Sequence, residues 1–518
     1  MATEEDAPTG PDLAQGIPAA DLPEGAMLAG HVGKDPVLVA RVGGEILAIG
    51  ALCSHYHGQL ADGLLVGDTV RCPLHHACFS LRTGAALKAP AFDNVGTWQV
   101  ERDGDTIRVT GKLPRPAAPA VPSPDPGAGR FVIVGGGAAG FACAERLRAE
   151  GFQGELTILS AEADRPIDRP NLSKDNLAGQ APESWLYLKP LSFYERRGIR
   201  LELGTTVGAI DPKNCRVTLA DGRGLPCEKL LLATGAEPVR LDIPGADLPH
   251  VFTLRALSDL RAIVARLEGS RTAVVVGASF IGLEVAASLV ARGLEVHVVA
   301  PDRKPLARIL GDAFSDFVRA EHERHGVVFH LGHKPAAIEQ AAVVLDDGTR
   351  LAADLVVTGV GVRPRIALAE AAGLAIDRGV LVDASLAASA PGVFAAGDIA
   401  RYPYPNAEDG TARIEHWVVA ERMGQAVALE MLGRGAPYVD VPFFWSQHYD
   451  ARIDYVGHAD RWDATEVAGD VGSGDGQVRF LRGGRLLATA SIGRDRDALR
   501  AERELEGAAA RVASPGVG

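Results

Sequence analysis

Two stretches of the chain decide its fold: RFVIVGGGAAGFACAERLRAEG at residues 130–151 and RTAVVVGASFIGLEVAASLVARGLEVHVVA at residues 271–300. Each begins with an apolar strand, passes through a glycine-containing turn and continues as a helix before a further strand. That order is typical of the βαβ unit of a parallel sheet. Because one chain contains two such units, we predict two nucleotide-binding domains rather than a single enlarged Rossmann fold.

The first turn follows the G-x-G-x-x-G pattern of dinucleotide-binding loops. In that pattern Gly135 permits the turn, Gly137 admits the pyrophosphate and Gly140 allows the helix to pack closely on the strand. Glu162 follows the next strand, where a carboxylate can bind the hydroxyls of a ribose. The pattern alone is weak evidence, but this context predicts a dinucleotide site.

The second turn keeps Gly277 and Gly282 but has Ser279 in the middle position. A side chain there reduces the room for a pyrophosphate. We therefore predict a nucleotide that binds more loosely, as an exchangeable substrate would.

Residues 37–109 alternate as short β segments between glycine turns, which predicts a small all-β domain. Within it, Cys53 and His55 form one pair, and Cys72 and His75 form another. A [2Fe-2S] cluster held by two cysteines and two histidines needs this set of ligands. A zinc site is the alternative, but zinc motifs usually pair like residues in each loop. The spacing resembles that of Rieske domains.

Other residues of these loops bear on the type of cluster. Rieske proteins of respiratory complexes carry a disulfide where this chain has Gly58 and Leu74, so a lower-potential cluster is expected. His57, His76 and Cys78 lie nearby and are predicted not to be ligands, because four ligands are already present.

The composition restricts the class of protein. The hydrophobic fraction is 47% and the net charge is −13, so a folded protein that does not bind nucleic acid is expected. The sequence shows no membrane-spanning run, and a cytoplasmic location is predicted. Cys143, Cys215 and Cys227 lack redox-motif spacing and are predicted to be buried free thiols.

Five further motifs carry a family resemblance: PIDRPNLSK (166–174), LLLATGAEP (230–238), DLVVTGVGVRP (354–364), GVFAAGDIA (392–400) and EHW (415–417). The chain resembles the apoptosis-inducing-factor-like and ferredoxin-reductase flavoproteins, in particular the subgroup with an N-terminal Rieske domain. The resemblance implies an all-β Rieske domain, then a glutathione-reductase-like α/β region with two Rossmann-type nucleotide-binding domains, and a C-terminal α+β domain.

The predicted domain boundaries follow changes in residue composition along the chain and this resemblance. They are a disordered N-terminus (1–19), a Rieske domain (20–113), a Pro-rich linker (114–129), an FAD-binding domain in two parts (130–254 and 377–437), an NAD(P)H-binding domain (255–376) and a C-terminal domain (438–518).

The resemblance also implies roles for individual residues. Lys174 is expected to reach the flavin and to pair with Glu284, and Trp445 to lie near the flavin and nicotinamide, although ordinary core packing is an alternative for Trp445. The other expected FAD contacts are Gly135, Gly137, Gly140, Glu162, Arg169, Val207, Ala233, Thr234, Gly235, Gly397, Asp398, His416 and Trp417. The expected NAD(P)H contacts are Gly277, Ser279, Gly282, Asp302 and Gly361.

The cofactor preference is open between NADH and NADPH. Asp302 suits a free ribose and so favours NADH, whereas Arg303 or Lys304 could receive a 2′-phosphate.

These predictions describe an enzyme that moves electrons from NAD(P)H through FAD and a fused Rieske cluster to an acceptor. The acceptor could be an oxygenase, a cytochrome or a small oxidant, and the protein could be a monomer or a homodimer. An alternative hypothesis is a redox-responsive flavoprotein whose long-lived charge-transfer state with NADH regulates partner binding.

Overall fold

The computed structural model describes residues 9–114 and 125–513, apart from the side chains of residues 126 and 509–513. The chain divides into two compact units. Of the described residues, the first unit contains 9–114 and 494–508, and the second contains 125–493 and 509–513. Most of the predicted linker, residues 115–124, lies outside the described residues. The part that follows it forms a 3-10 turn at Pro126–Ala128.

The first unit is built on two antiparallel sheets, as the alternating pattern predicts. A six-stranded sheet has the order β1-β10-β9-β4-β3-β2, and a four-stranded sheet has the order β5-β6-β7-β8. The strands are β1 (Ile17–Pro18), β2 (Met27–Val32), β3 (Asp35–Val42), β4 (Glu45–Gly50), β5 (Leu64–Val66), β6 (Thr69–Arg71), β7 (Cys78–Ser80), β8 (Ala86–Lys88), β9 (Thr97–Asp103) and β10 (Thr106–Lys112). Buried apolar residues such as Leu38 and Phe79 fill the space beneath the cysteine loops.

The expectation that residues 1–19 are disordered does not hold for residues 9–19, whereas residues 1–8 lie outside the described residues. The side chain of Leu13 is buried and β1 pairs with β10. Within residues 9–19 only Leu13 and Ile17 are large apolar residues, so the sequence shows no strand pattern there.

The second unit begins with the first nucleotide-binding region. Its elements up to residue 267 are β11 (Arg130–Val134), α1 (Ala138–Ala149), β12 (Glu155–Leu159), α2 (Asp175–Ala178), α3 (Leu191–Arg196), β13 (Ile199–Glu202), β14 (Val207–Asp211), β15 (Arg216–Leu219), β16 (Gly224–Pro226), β17 (Lys229–Leu232), β18 (Ala236–Pro238), β19 (Val251–Phe252) and α4 (Leu257–Leu267). The strands β13, β12, β11 and β17 form a parallel sheet that a later strand completes.

The second nucleotide-binding region and the return to the first sheet follow. The elements are β20 (Thr272–Val276), α5 (Phe280–Ala291), β21 (Glu295–Ala300), α6 (Ala307–Arg324), β22 (Val328–Leu331), β23 (Pro335–Glu339), β24 (Ala342–Leu345), β25 (Arg350–Ala352), β26 (Leu355–Thr358), β27 (Val362–Pro364), α7 (Ala367–Ala371), β28 (Val380–Leu381), β29 (Val393–Ala395), β30 (Ala400–Pro403), β31 (Thr411–Ala412) and α8 (Trp417–Met431). A parallel sheet has the order β19-β26-β20-β21-β22, and β29 completes the first sheet beside β17.

The remaining strands of the second unit form an antiparallel sheet of order β32-β33-β36-β35-β34. They are β32 (Phe443–His448), β33 (Ala451–Gly457), β34 (Ala464–Asp470), β35 (Asp475–Arg482) and β36 (Arg485–Ile492). Apolar residues of this sheet, including Phe444 and Phe480, share one core with α5 and α6.

Residues 494–508, which contain most of helix α9 (Asp495–Ala513), group with the first unit. Glu502 of α9 is almost completely buried. It accepts from Arg71 at 3.1 Å and lies 2.9 Å from Nδ1 of His76. Arg496 donates to the carbonyls of Ala61 and Asp62. The pattern of α9 predicts a helix but does not reveal which surface that helix covers.

Cys215 and Cys227 form a disulfide, so the prediction that both are free thiols is wrong. The register of the antiparallel pair β15–β16 explains the bond. Arg216 faces Pro226, and the cysteines just outside that pair therefore also face each other, with 5.1 Å between their Cα atoms. Cys143 is a buried free thiol, as expected.

Among the described residues, no helix is both long enough and apolar enough to cross a lipid bilayer.

Candidate cofactor-binding sites

The two cysteine loops of the first unit share one backbone arrangement. Cys53 N donates to Gly58 O at 2.9 Å, and Cys72 N donates to Ala77 O at 2.8 Å. In each loop the fourth residue after the cysteine, His57 or His76, has a positive φ. The loops therefore form a matched pair, although the expected histidine ligand is two residues after Cys53 and three after Cys72.

The four predicted ligands meet between these loops. Nδ1 of His55 lies 3.2 Å from Nδ1 of His75, and both cysteines are buried. The neighbouring Cys72 thiol and burial hold the pKa of the Cys53 thiol above its usual range. Burial lowers the pKa of His55 to about 3, so its imidazole is neutral, the form that binds a metal. Two thiols and two Nδ1 atoms converging in one place fit a Rieske cluster.

Gly58 and Leu74 occupy facing positions in the two loops. A Cβ atom on Gly58 would lie 2.8 Å from the Leu74 side chain and 3.0 Å from Cys72 Sγ. These two positions are close together, and no cysteine occupies either of them.

Of the three residues predicted not to be ligands, His57 is exposed, whereas His76 and Cys78 are buried. His76 is held by Glu502 of α9.

The first glycine loop connects β11 to α1 and has the geometry that its pattern predicts. A Cβ on Gly135 would lie 2.1 Å from Ala233 O, and one on Gly140 would lie 1.9 Å from Gly135 O. Both positions therefore require glycine. A Cβ on Gly137 would meet only Arg169 Nη2, at 3.8 Å, so the loop is open there. This open space at a helix N-terminus fits a pyrophosphate.

Two ion pairs lie among the predicted FAD contacts. Arg169 Nη2 is 2.5 Å from Glu162, and Arg255 Nη2 is 2.7 Å from Asp398. Arg255 was missed by sequence reasoning, since a single arginine in a loop between β19 and α4 has no recognisable pattern. Burial lowers the pKa of Arg169.

Several buried polar atoms around this region have no hydrogen-bond partner within the described part of the chain. They are Nε of Arg169, Nε of Arg255 and Nδ1 of His416. Buried polar atoms in folded proteins normally have a partner. Their position among the predicted contacts fits a polar cofactor such as FAD.

The remaining predicted FAD contacts lie at strand and helix ends. Val207 begins β14, and Ala233, Thr234 and Gly235 follow β17, where Thr234 Oγ1 donates to Arg365 O. Gly397 precedes Asp398 after β29. His416 is the N-cap residue of α8, and Trp417 is the first residue of that helix.

Lys174 and Glu284 form the predicted pair. Lys174 Nζ lies 2.8 Å from Glu284 Oε2 and donates to Pro170 O at 2.9 Å. Glu284 also accepts from Ser173 and from Ser446. Trp445, the neighbour of Ser446 on β32, is half-buried.

The second glycine loop differs from the first at its middle residue. Ser279 Oγ accepts from Gly282 N at 3.2 Å and donates to Gly359 O at 2.8 Å. Its side chain thus caps α5. A Cβ on Gly282 would lie 2.2 Å from Gly277 O. Gly361 has a φ of 106° between β26 and β27.

The residues that follow β21 bear on the choice between NADH and NADPH. Asp302 pairs with Arg308 at 2.6 Å and remains partly exposed. Lys304 lies 2.8 Å from Asp316 and 3.4 Å from Asp312, and these acids raise the pKa of Lys304.

Comparison with known proteins agrees with this arrangement. Residues 129–424 match the family described as pyridine nucleotide-disulphide oxidoreductase. Residues 15–99 match the Rieske [2Fe-2S] domain, and residues 443–515 match the reductase C-terminal domain. The Rieske match favours the iron–sulfur cluster over zinc.

Similar proteins cover most of the chain. Apoptosis-inducing factor 3 of Mus musculus is 33% identical over 492 residues, which are 92% of this chain and 81% of that protein. The ferredoxin–NAD(+) reductase component of the anthranilate 1,2-dioxygenase system of Burkholderia cepacia is 37% identical, over 75% of this chain and 98% of its own length. The covalent putidaredoxin reductase–putidaredoxin complex is similar in structure, with a TM-score of 0.71, 32% identity, and coverage of 73% of this chain and 93% of that chain.

The chain belongs to the pyridine nucleotide-disulphide oxidoreductase family, and it is an FAD-dependent oxidoreductase. More narrowly, it is of the ferredoxin-reductase type and carries an N-terminal Rieske [2Fe-2S] domain; its cofactors are FAD, the [2Fe-2S] cluster and NADH.

Proposed function

We propose that this protein oxidises NADH and passes the electrons one at a time to its own Rieske cluster and from there to an acceptor protein. The observation that carries the proposal is that one chain contains both a complete Rieske ligand set and a Lys174–Glu284 pair beside two dinucleotide loops. Bound FAD supplies the conversion between two-electron and one-electron chemistry.

Different residues of the second unit bind different parts of FAD. The open loop at Gly137 and the guanidinium of Arg169 receive the pyrophosphate, and Glu162 and Asp398 accept from hydroxyl groups. Lys174 would lie beside the flavin ring, where its ammonium is held by Glu284 and Pro170 O. A cation in this position favours negative charge on the ring electrostatically.

We further propose that NADH is preferred over NADPH. Asp302 suits a ribose with free hydroxyls. Lys304, which could otherwise receive a 2′-phosphate, is occupied by Asp312 and Asp316.

The acceptor is proposed to be an oxygenase, a cytochrome or a related redox protein. Proteins similar to this chain include a rhodocoxin reductase and reductase components of dioxygenase systems. In this chain the fused cluster would take the place of a separate ferredoxin, since tethering raises the effective concentration of one redox centre near another.

The test is an anaerobic titration of the holoprotein with NADH, in which visible absorbance reports the flavin and EPR reports the cluster. The proposal expects the flavin to be bleached and a Rieske signal to appear. A bleached flavin with a cluster that stays oxidised, together with a persistent long-wavelength absorbance, would instead favour the redox-responsive regulator.

Cys72→Ser and Cys78→Ser make a matched pair for the same titration. Both cysteines are buried in the first unit, but only Cys72 is a predicted ligand. We expect C72S to lose the Rieske signal while its flavin is still bleached, and C78S to keep both. Loss of iron from C78S but not from C72S would overturn the ligand assignment.

A further inference from the structure

A line of buried polar side chains leads away from the Lys174–Glu284 pair. It runs from Glu284 through Ser446, His448 and His322 to Tyr449. Ser446, His448 and His322 have no solvent exposure, whereas Tyr449 is only half-buried. The line therefore connects an interior ion pair to a side chain near the surface of the second unit.

Each step of this line is within hydrogen-bond reach. Ser446 Oγ is 2.7 Å from Glu284 Oε1 and 3.2 Å from His448 Nε2. His448 Nδ1 is 3.1 Å from His322 Nε2, and His322 Nδ1 is 3.4 Å from the Tyr449 hydroxyl. Each imidazole thus contacts one neighbour through Nδ1 and the other through Nε2. The hydroxyl groups of Ser446 and Tyr449 can both donate and accept.

The charge state of the two imidazoles suits this arrangement. Burial lowers the pKa of His448 to about 3. Burial also lowers the pKa of His322, and the neighbouring imidazoles of His448 and His325 lower it further. Lys174 adds to the effect on His448. Both rings are therefore neutral, with one donor and one acceptor each.

With Glu284 as a carboxylate, one set of tautomers satisfies every contact. Ser446 donates to Glu284, His448 Nε2–H donates to Ser446, His322 Nε2–H donates to His448, and Tyr449 donates to His322. All donors then point toward Glu284. With a proton on Glu284 the whole set can point the other way.

We propose that this line is a proton relay between the Lys174–Glu284 pair and the surface of the second unit, an inference that rests on the proposed function. Oxidation of NADH to NAD⁺ by two one-electron steps at an acceptor leaves one proton. Ser446, His448, His322 and Tyr449 are then positioning and proton-carrying residues for that reaction.

The transfer conserves protons and moves no electrons. It starts after Glu284 has received the proton that NADH oxidation leaves and after the hydroxyls and imidazole tautomers have changed to the set that points away from Glu284. A proton on Glu284 Oε1 passes to Ser446 Oγ, the Ser446 proton passes to His448 Nε2, and the His448 Nδ1 proton passes to His322 Nε2. The His322 Nδ1 proton passes to the Tyr449 oxygen, and the original Tyr449 proton enters water. Glu284 returns to the carboxylate, and the relay is left with all donors pointing toward it.

The first test separates proton release from reduction. The oxidised holoprotein is mixed with NADH and ferricyanide in weak buffer, while a pH-indicator dye reports protons and absorbance reports the flavin. In S446A and Y449F we expect proton release to slow about tenfold or more relative to the rate of flavin reduction measured in the same variant. We also expect the solvent deuterium isotope effect on the rate of proton release to differ between these variants and wild type.

His330→Gln is the matched control, because His330 and His297 also form a hydrogen-bonded histidine pair, at 3.1 Å. Within the described residues, no hydrogen bond links that pair to Lys174 or Glu284. H330Q should release protons at the wild-type rate. Equal release rates in S446A, Y449F and wild type would overturn the relay.

The second test does not depend on turnover. In ¹⁵N-histidine-labelled oxidised holoprotein, NMR should show neutral Nε2–H tautomers for both His322 and His448, assigned by comparison with single histidine variants. Two rings in opposite tautomeric senses would break the line and overturn the proposal. A wild-type protein whose cluster is never reduced would instead refute the proposed function, which the EPR titration reports separately.

Discussion

The two glycine loops of the second unit share one close backbone contact but differ in the hydrogen bonds that stabilise them. In both, the last glycine lies so close to the first glycine's carbonyl that a Cβ would overlap it. In the first loop the middle position, Gly137, is open. In the second, Ser279 fastens the loop to Gly359 and caps α5. The comparison indicates that a side chain of the second loop stabilises its middle position, whereas the middle position of the first loop has no side chain.

The largest effect is expected from Gly140→Ala, with Gly282→Ala as its counterpart in the other loop. Because the added Cβ would overlap a backbone carbonyl, each change should destabilise the protein by about 3 kcal/mol. We expect G140A to lose FAD, and G282A to keep FAD but lose reduction by NADH. Flavin absorbance after gel filtration and the rate of bleaching by NADH measure these outcomes. If G282A loses FAD as completely as G140A, the two loops do not serve different nucleotides.

A smaller effect is expected from Gly137→Ala. Its Cβ would meet only Arg169 Nη2, so the unfolding temperature of the apoprotein should hardly change. The methyl group enters the space assigned to the pyrophosphate, and the Kd for FAD should rise about tenfold, which corresponds to about 1.4 kcal/mol. Fluorescence of released flavin reports this Kd. An unchanged Kd would show that the middle position does not contact FAD.

The smallest effect is expected from Ser279. Removing the capping hydroxyl in S279A should cost about 1 kcal/mol, whereas S279G should cost only a few tenths, because glycine is tolerated at this position. Thermal unfolding of the two holoproteins compares them directly. Equal stability of S279A and wild type would contradict the capping role that distinguishes the second loop.

The sequence predicts those parts of the molecule whose chemistry is local. The glycine loops need only neighbouring residues to define a turn and a helix start, and Cys53, His55, Cys72 and His75 lie in two short loops. The family resemblance supplied the pairing of Lys174 with Glu284, which spacing alone could not have given. The structure brings both sets together.

The features that sequence reasoning missed depend on contacts between distant segments. Arg255, between β19 and α4, contacts Asp398, which follows β29. Cys215 and Cys227 are 12 residues apart and meet through the register of β15 and β16. Likewise, the hydroxyl of Ser279 bonds to Gly359, a residue in the loop after β26. No local sequence pattern predicts such contacts, because each partner alone resembles an ordinary surface or core residue.

The placement of residues 494–508 has a consequence for the order in which the protein is made. Arg71 and His76, beside the predicted cluster ligands, are held by Glu502 of α9. During translation the ribosome completes the cysteine loops early, but Glu502 follows only after residues 121–493 have been synthesised. The first unit is therefore begun before the second but completed after it, and the buried guanidinium of Arg71 gains its carboxylate partner only when α9 has been synthesised.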